Sequence, residues 1–371
     1  VRILVDYRPA LRERTGVGEY IHQVARCIGS SLRSGESLTL FSSSWKDRLA
    51  PDAVPGTTVV DRRVPVRVLN FAWNRLEWPG VEWLAGGGFD VVHSLHPLLI
   101  PSRRAAQVIT IHDLDFLDRP DRTRTEVGRD YPALVASHAR RADCVLVNSQ
   151  HTAGEVERRL GLPASKIVRA YPGTPDWPRR AAEPEAGCIL FLGTLEPRKN
   201  IGTLLDAYEL LIAGLPDAPP LVLAGGASPE AAPWLARAAA PPLAGRVSFP
   251  GYVDEARRLD LYRRAMVFVL PSHTEGFGMP VAEAMRCGVP VVVSNRGALP
   301  EVAGSAGRLI DPSDAASLAQ ALRDVVTNPD LRRRMSDAGV LHARQFTWRA
   351  TADRVRDAWA LAVDERSRRR G

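Results

Sequence analysis

Val267-Phe268-Val269-Leu270-Pro271-Ser272-His273-Thr274-Glu275-Gly276-Phe277-Gly278-Met279-Pro280-Val281-Ala282-Glu283-Ala284-Met285 reads as a strand, a loop and a helix. The four leading apolar residues stop at Pro271, which suits a strand buried on both faces. The fixed φ of Pro280 suits a first helical position, and Gly288 suits the residue just past the helix end. Val289-Pro290 then opens the next strand. This spacing predicts Glu275 on the loop and Glu283 in the first helical turn, both above the strand ends. Gly276 and Gly278 let backbone N–H groups come close to a ligand, and the helix N-terminus adds partial positive charge. Two carboxylates beside exposed amides suit sugar and ribose hydroxyls. A capped helix after a tight turn has the same local pattern, so both readings stand here.

Outward from this stretch the same alternation recurs. Short apolar runs at 3–6, 38–41, 91–93, 107–111, 144–147 and 167–170 form one series of expected strands. Runs at 189–192, 221–224, 247–249, 267–270, 291–294 and 308–310 form a second. Helical patterns separate them, which predicts parallel α/β sheets. Between the series lies 171–187, rich in Pro and Gly, the best boundary in the chain. The expected fold class is α/β, with two Rossmann-like doubly wound domains facing a central cleft. Their expected spans are 1–178 and 179–345, followed by 346–371. Ligands of such sheets bind at the carboxyl ends of the strands. A last helix, from Trp348 to about Asp364, carries an apolar stripe, and the arginines after it read as a frayed, solvated tail.

Three further segments carry candidate chemistry. Gly193-Thr194-Leu195-Glu196-Pro197-Arg198-Lys199-Asn200 follows one strand and precedes a helix. A guanidinium fork beside an ammonium at such a crossover suits a diphosphate. The alternative is surface charge, which the dipole at a helix start disfavours. His112, in Thr110-Ile111-His112-Asp113-Leu114-Asp115, ends an apolar strand where it could meet a sugar, or be a satisfied core histidine. Asp113 and Asp115 also resemble a metal-binding Asp-x-Asp, which is discounted because Arg198 and Lys199 can neutralise a leaving diphosphate. Thr15-Gly16-Val17-Gly18 allows a tight turn into a helix facing phosphates. A full dinucleotide Gly-x-Gly-x-x-Gly is absent, since position 21 is Ile.

Composition narrows the classes. At 371 residues, two domains are the natural prior. No apolar run approaches the ~20 residues of a membrane span. The chain opens on Val1-Arg2-Ile3-Leu4, which reads as a first strand and not a signal peptide, so a cytoplasmic protein is expected. Val rather than Met at the first position is consistent with a missing or replaced residue. Its four cysteines lack Cys-x-x-Cys spacing, against a zinc site or a disulfide framework. The formal charge is +7, almost all of it in residues 1–180. That excess suits an anionic partner such as a membrane surface, or simply arginine-solvated helices. Trp73, Trp78 and Trp83, with Arg62, Arg63, Arg67 and Arg75 nearby, suit either a membrane interface or, the preferred reading, a core beneath a loop.

Together these segments resemble the retaining glycosyltransferases of family 4 (group 1), which have the GT-B fold. The most specific part is Glu275 and Glu283 bracketing Gly276-Phe277-Gly278-Met279-Pro280, with Arg198-Lys199-Asn200 upstream. Asp6-Tyr7-Arg8-Pro9-Ala10 and His112-Asp113-Leu114 are similar to a subgroup of bacterial O-antigen mannosyltransferases. The resemblance implies that Arg198 and Lys199 hold the donor diphosphate, that Glu283 binds ribose, and that Glu275 binds a sugar hydroxyl beside the amides of Phe277, Gly278 and Met279. It also implies that Gly16 and Gly18 approach the phosphates, that Gly193 belongs to the nucleotide-sugar site, that Tyr252 and Val253 lie near the base, and that His112 sits over the sugar. The final helix would cross back to the first domain. The implied reaction moves a hexose, with GDP-mannose as leading donor, to a glycan or lipid-linked acceptor. No metal or other cofactor and no nucleic acid is expected, and the inner face of an anionic membrane is a candidate peripheral contact. A nucleotide-sugar epimerase and a non-catalytic nucleotide-sugar-binding protein are the alternatives.

Overall fold

The computed structural model describes residues 1–11, 16–119 and 125–370, with the side chains of 125–129 left aside. Thr15 and the arginine-rich loop before it lie outside the described residues. The chain divides into two compact units, Val1–Gly173 with Trp348–Gly371, and Thr174–Thr347.

The first unit is a seven-stranded sheet in the order β3-β2-β1-β4-β5-β6-β7. Its strands are β1 (Arg2–Asp6), β2 (Ser37–Ser43), β3 (Thr58–Arg62), β4 (Val91–Ser94), β5 (Ala106–Ile111), β6 (Cys144–Val147) and β7 (Ile167–Arg169). Every pairing is parallel. Strands β1, β4, β5 and β6 are almost wholly buried, as a parallel sheet covered on both faces requires. One strand was not expected from sequence. β3, Thr-Val-Val-Asp-Arg, is an edge strand, half-buried and with charge at its end, so it lacks the apolar run that marks the others.

The second unit is a six-stranded parallel sheet in the order β10-β9-β8-β11-β12-β13. Its strands are β8 (Cys188–Leu192), β9 (Leu221–Ala224), β10 (Val247–Gly251), β11 (Ala265–Leu270), β12 (Val291–Ser294) and β13 (Arg308–Ile310). Both sheets are doubly wound. The order of connection reverses between β1 and β4 in one unit and between β8 and β11 in the other. In sheets of this kind the carboxyl ends flanking the reversal form a crevice where ligands bind.

The final helix, Trp348–Arg368, belongs to the first unit. Its Ala352, Val355, Ala358, Trp359 and Ala362 join the core with Ile3, Val5 and Ile21. The Trp359 indole N–H donates to His93 Nδ1 at 3.1 Å. The arginines at its end stay exposed in part, as Arg368 and Arg370 do, but they are tied down rather than frayed. Arg366 and Arg369 reach the fully buried carboxylate of Asp143, and Arg370 donates to the Arg104 carbonyl at 2.8 Å. A buried carboxylate needs cationic partners, and these arginines supply them.

The three tryptophans expected to fill a core divide. Trp73 is buried with Leu69, Val81 and Leu84, and its indole N–H donates to the Pro79 carbonyl at 3.0 Å. Trp78 and Trp83 are 60% and 75% exposed.

Candidate functional site

In the second unit the turn after β8 and the loop after β11 meet at the strand-order reversal. Gly193 follows β8, and a short turn, Pro197–Lys199, then presents two cations. The loop from Ser272 to Glu275 follows β11. Lys199 Nζ donates to Glu275 Oε1 at 2.6 Å, and Arg198 donates to Glu275 Oε2 at 2.7 Å. A second Arg198 nitrogen donates to Glu196 Oε1 at 2.9 Å, and Ser272 Oγ donates to Glu275 Oε1 at 2.7 Å. Sequence placed Arg198, Lys199 and Glu275 in one site. The structure joins them directly, with Glu275 bridging both cations.

Backbone contacts hold this arrangement. The His273 N–H donates to the Arg198 carbonyl at 2.9 Å. Asn200, left-handed at φ 60, donates from its side chain to the carbonyls of Pro271 and Pro312. A Cβ at Gly193 would lie 3.5 Å from Lys199 Cε, so glycine keeps space open beside the ammonium. An ammonium has three donors. Glu275 takes one of those on Lys199, which leaves donors for an anionic ligand.

Burial alone would raise the Glu275 carboxyl, but Arg198 and Lys199 outweigh it and hold it at about 2 against an ordinary 4.5. The carboxyl is depressed in the folded state, so its stabilisation is full above 4.5 and is lost as pH falls towards about 2. The stability difference between the wild type and Glu275→Gln is expected to shrink across that window. Urea denaturation at several pH values checks it, and a gap that stays constant removes the ion pairs as the cause.

The helix Met279–Arg286 begins one residue earlier than Pro280, so Glu283 falls in its second turn. Glu283 is buried and accepts from the Tyr262 hydroxyl at 2.9 Å, with Arg258 Nε 3.6 Å away. Arg258 in turn lies over the Trp177 ring at 5.1 Å. Gly278, at φ 97, caps this helix. Among the described residues the N–H groups of Gly278 and Met279 have no acceptor, as expected for donors at a helix start. Phe277 points into the core, edge-on to Phe346 at 5.3 Å. Tyr252 and Val253 follow β10, two strands from β8 on the same edge of the sheet. Tyr252 is half-exposed and Val253 is buried.

In the first unit His112 lies just past the end of β5. Its Nε2–H donates to the Leu95 carbonyl at 3.1 Å, and Tyr20 stands edge-on to it at 5.0 Å. Burial lowers its pKa, against a smaller pull upwards from Leu95 and Asp113. The ring is therefore neutral, and the lone pair is on Nδ1. Gly16 caps the helix Val17–Gly29 at φ 52, with Gly18 buried in its first turn. Asp113 accepts from the Asp115 N–H at 3.2 Å, a turn that opens the next short helix.

A residue group that sequence reading missed occupies the reversal point of this sheet. Asp6, at the end of β1, is fully buried and pairs with Arg8 at 2.6 Å and with His96, just past β4, at 2.9 Å. Burial would raise the Asp6 carboxyl, but Arg8 and His96 hold it well below the usual range. Arg8 also lies over the Trp73 ring at 4.6 Å and donates to Asn70 Oδ1.

Comparison with known proteins bears on this geometry. Residues 175–341 match a family model described as glycosyl transferases group 1, and residues 14–176 match one described as glycosyltransferase family 4. D-inositol 3-phosphate glycosyltransferase of Thermobifida fusca is 30% identical, covering 96% of this chain and 91% of the relative. The chain belongs to the group 1 glycosyltransferases of family 4. O-antigen chain mannosyltransferase B of Escherichia coli is 28% identical over 97% of this glycosyltransferase and the whole of the relative. Among solved structures, sucrose-phosphate synthase from Thermosynechococcus elongatus superposes with a TM-score of 0.77 at 20% identity, covering 97% and 98% of the two chains. Anabaena HepE in complex with UDP and glucose gives 0.70 at 17%, covering 96% and 99%. The fold is therefore GT-B, and the enzyme is a hexosyltransferase.

One support of the loop that carries Glu275 had no signal in sequence beyond a lone glycine. Gly297, after β12, has φ 62, and a Cβ there would come within 2.7 Å of the Glu275 nitrogen. The neighbouring Ala298 N–H donates to the Glu275 carbonyl at 3.0 Å. Gly297→Ala is expected to cost about 1–3 kcal/mol from the left-handed backbone alone, and to lower activity by moving Glu275. Denaturation and kinetics on one preparation check both effects, and a variant matching the wild type in each removes Gly297 as a support.

Proposed function

We propose that this glycosyltransferase moves a hexose from a nucleotide-sugar with retention of configuration, mannose from GDP-mannose being the leading donor, to a glycan or lipid-linked acceptor. The observation that carries the reading is the Arg198–Glu275–Lys199 cluster at the carboxyl ends of β8 and β11. Similarity along the whole chain to an O-antigen chain mannosyltransferase favours mannose. UDP-glucose is the second reading, favoured by the likeness to a structure holding UDP and glucose.

In this reading Arg198 and Lys199 bind the donor diphosphate, and Glu283 takes the ribose. Glu275 takes a sugar hydroxyl while holding the two cations in place. The amides of Gly278 and Met279 add donors, Gly16 and Gly18 approach the phosphates, and Tyr252 and Val253 lie near the base. The sugar–phosphate bond stretches first, so negative charge grows on the diphosphate, where the two cations stabilise it more in the transition state than in the ground state. The leaving phosphate oxygen takes the acceptor proton, so no protein base is needed. Neutral His112, with its lone pair on Nδ1, accepts a hydroxyl hydrogen bond and orients it. The cationic pair supplies the charge that a metal would otherwise supply, and turnover is expected to persist in EDTA.

A thermal-shift screen against GDP, UDP and ADP, each with and without its sugar, tests the donor. The true donor raises the melting temperature through mass action, and a stronger response to UDP sugars than to GDP sugars overturns mannose from GDP-mannose. The anomeric configuration of the product, read by NMR, tests retention.

A further inference from the structure

We propose that the amino-terminal edge of the first unit's sheet docks on an anionic lipid surface. The docking does not depend on the donor or acceptor named above. Strands β5, β6 and β7 are parallel, so the residues just before them share one edge. Those residues are Arg103 and Arg104 before β5, Arg140 and Arg141 before β6, and Lys166 before β7. The end of the last helix adds to the same edge. Arg366 and Arg369 are tied to buried Asp143, and Arg370 donates to the Arg104 carbonyl. Arg103, Arg104, Arg140, Arg141, Arg368 and Arg370 are all exposed there. Nearby carboxylates offset this in part: Asp143 is wholly buried, Glu365 pairs with Arg368, and Glu77 pairs with Arg141.

An exposed aromatic pair adjoins these cations. Trp78 and Trp83 stack on one another at 6.3 Å and 28°, with Leu76 61% exposed close by in sequence. Two contacts fix the pair to the basic edge. Glu77, beside Trp78, receives Arg141 at 2.9 Å, and Glu82, beside Trp83, receives the Arg103 N–H at 3.1 Å. Beneath them Trp73, Val81 and Leu84 are packed in the core, so the indoles stand on a fixed base. Indoles with an aliphatic neighbour settle at the headgroup level of a bilayer, and clustered arginines attract anionic headgroups. Nucleic acid would use the cations but not Leu76, and it gains less from indoles already stacked on each other. Two weak signals acting together are what reversible attachment needs. The carboxyl ends, where this fold binds ligands, lie at the opposite edge and stay open. Among the described residues no helix is long and apolar enough to cross a membrane, so attachment at this edge would be peripheral.

Co-sedimentation of the full chain with phosphatidylcholine vesicles, with and without phosphatidylglycerol, at low and high salt, tests the proposal. The wild type is expected to bind the mixed vesicles about tenfold or more above the neutral ones at low salt, and less at high salt. Trp78→Ser with Trp83→Ser is expected to weaken binding to both vesicle types about tenfold. Arg103→Glu, Arg104→Glu, Arg368→Glu and Arg370→Glu together are expected to erase the preference for phosphatidylglycerol. Transfer to a water-soluble acceptor is expected to continue unchanged in both variants, which also shows that they fold. A wild type that stays in the supernatant overturns the proposal, as does a folded tryptophan variant that sediments like the wild type. Binding to a DNA duplex but not to vesicles would reassign the surface to polyanions and equally overturn it.

Discussion

Lys199→Ala is expected to lower kcat by about 10²-fold or more, the scale on which loss of one preorganised electrostatic stabiliser is felt. The reason lies in where its charge is held. Lys199 is largely buried, 2.6 Å from Glu275 and beside the space that Gly193 leaves open. Its ammonium is therefore in place before the donor arrives and has little to reorganise as the diphosphate gains charge. The loss should fall on kcat more than on donor affinity, because Arg198 remains to bind the ground state. Arginine should restore little, since a planar fork does not replace a compact point charge in that space. Steady-state kinetics with calorimetric nucleotide binding checks the split. Unchanged turnover would remove the diphosphate role from this lysine.

Glu275→Ala is the second large effect, and it acts on stability as well as on rate. Removing one partner of a buried ion pair leaves the others uncompensated, at a cost of about 3–5 kcal/mol. Lys199 is nearly buried but Arg198 keeps some solvent, so a value near about 3 is expected. Activity should fall by about 10²–10³-fold as the cations lose their shared anchor. A nucleoside diphosphate supplies the missing negative charge. At about hundredfold saturation, binding returns about 2.7 kcal/mol to a protein of ordinary affinity. The variant, with its cations unpaired, should gain more than the wild type on adding GDP or UDP, so the deficit in melting temperature should narrow. A deficit that persists with saturating nucleotide would place Glu275 outside the phosphate site.

The elements themselves were largely legible because their signals are local. A run such as Ile189-Leu190-Phe191-Leu192 can only be a strand buried on both faces once Gly193 ends it, and the helix after Gly278 is marked by Pro280. Where the signal was weak, the reading was incomplete. β3 borrows its stability from pairing with β2 rather than from its own residues. Arg366 and Arg369 look merely solvated until Asp143 is seen buried beneath them. Trp73 and Trp83 are alike in sequence, yet one lies under the chain and the other on it.

Sequence by itself determined two parallel α/β units, and it put Arg198, Lys199, Glu275 and Glu283 near strand ends, because hydrophobic periodicity and turn chemistry are written within a dozen residues. Tertiary structure alone decided which of these side chains touch. Lys199 meets Glu275 across 76 residues, Asp6 meets His96 across 90, and Arg369 meets Asp143 across 226. The first two follow from strand order, β8 against β11 and β1 against β4, and the third from the final helix packing across β5 and β6. Strand order is set by how whole faces pack together, which leaves no mark on any one segment.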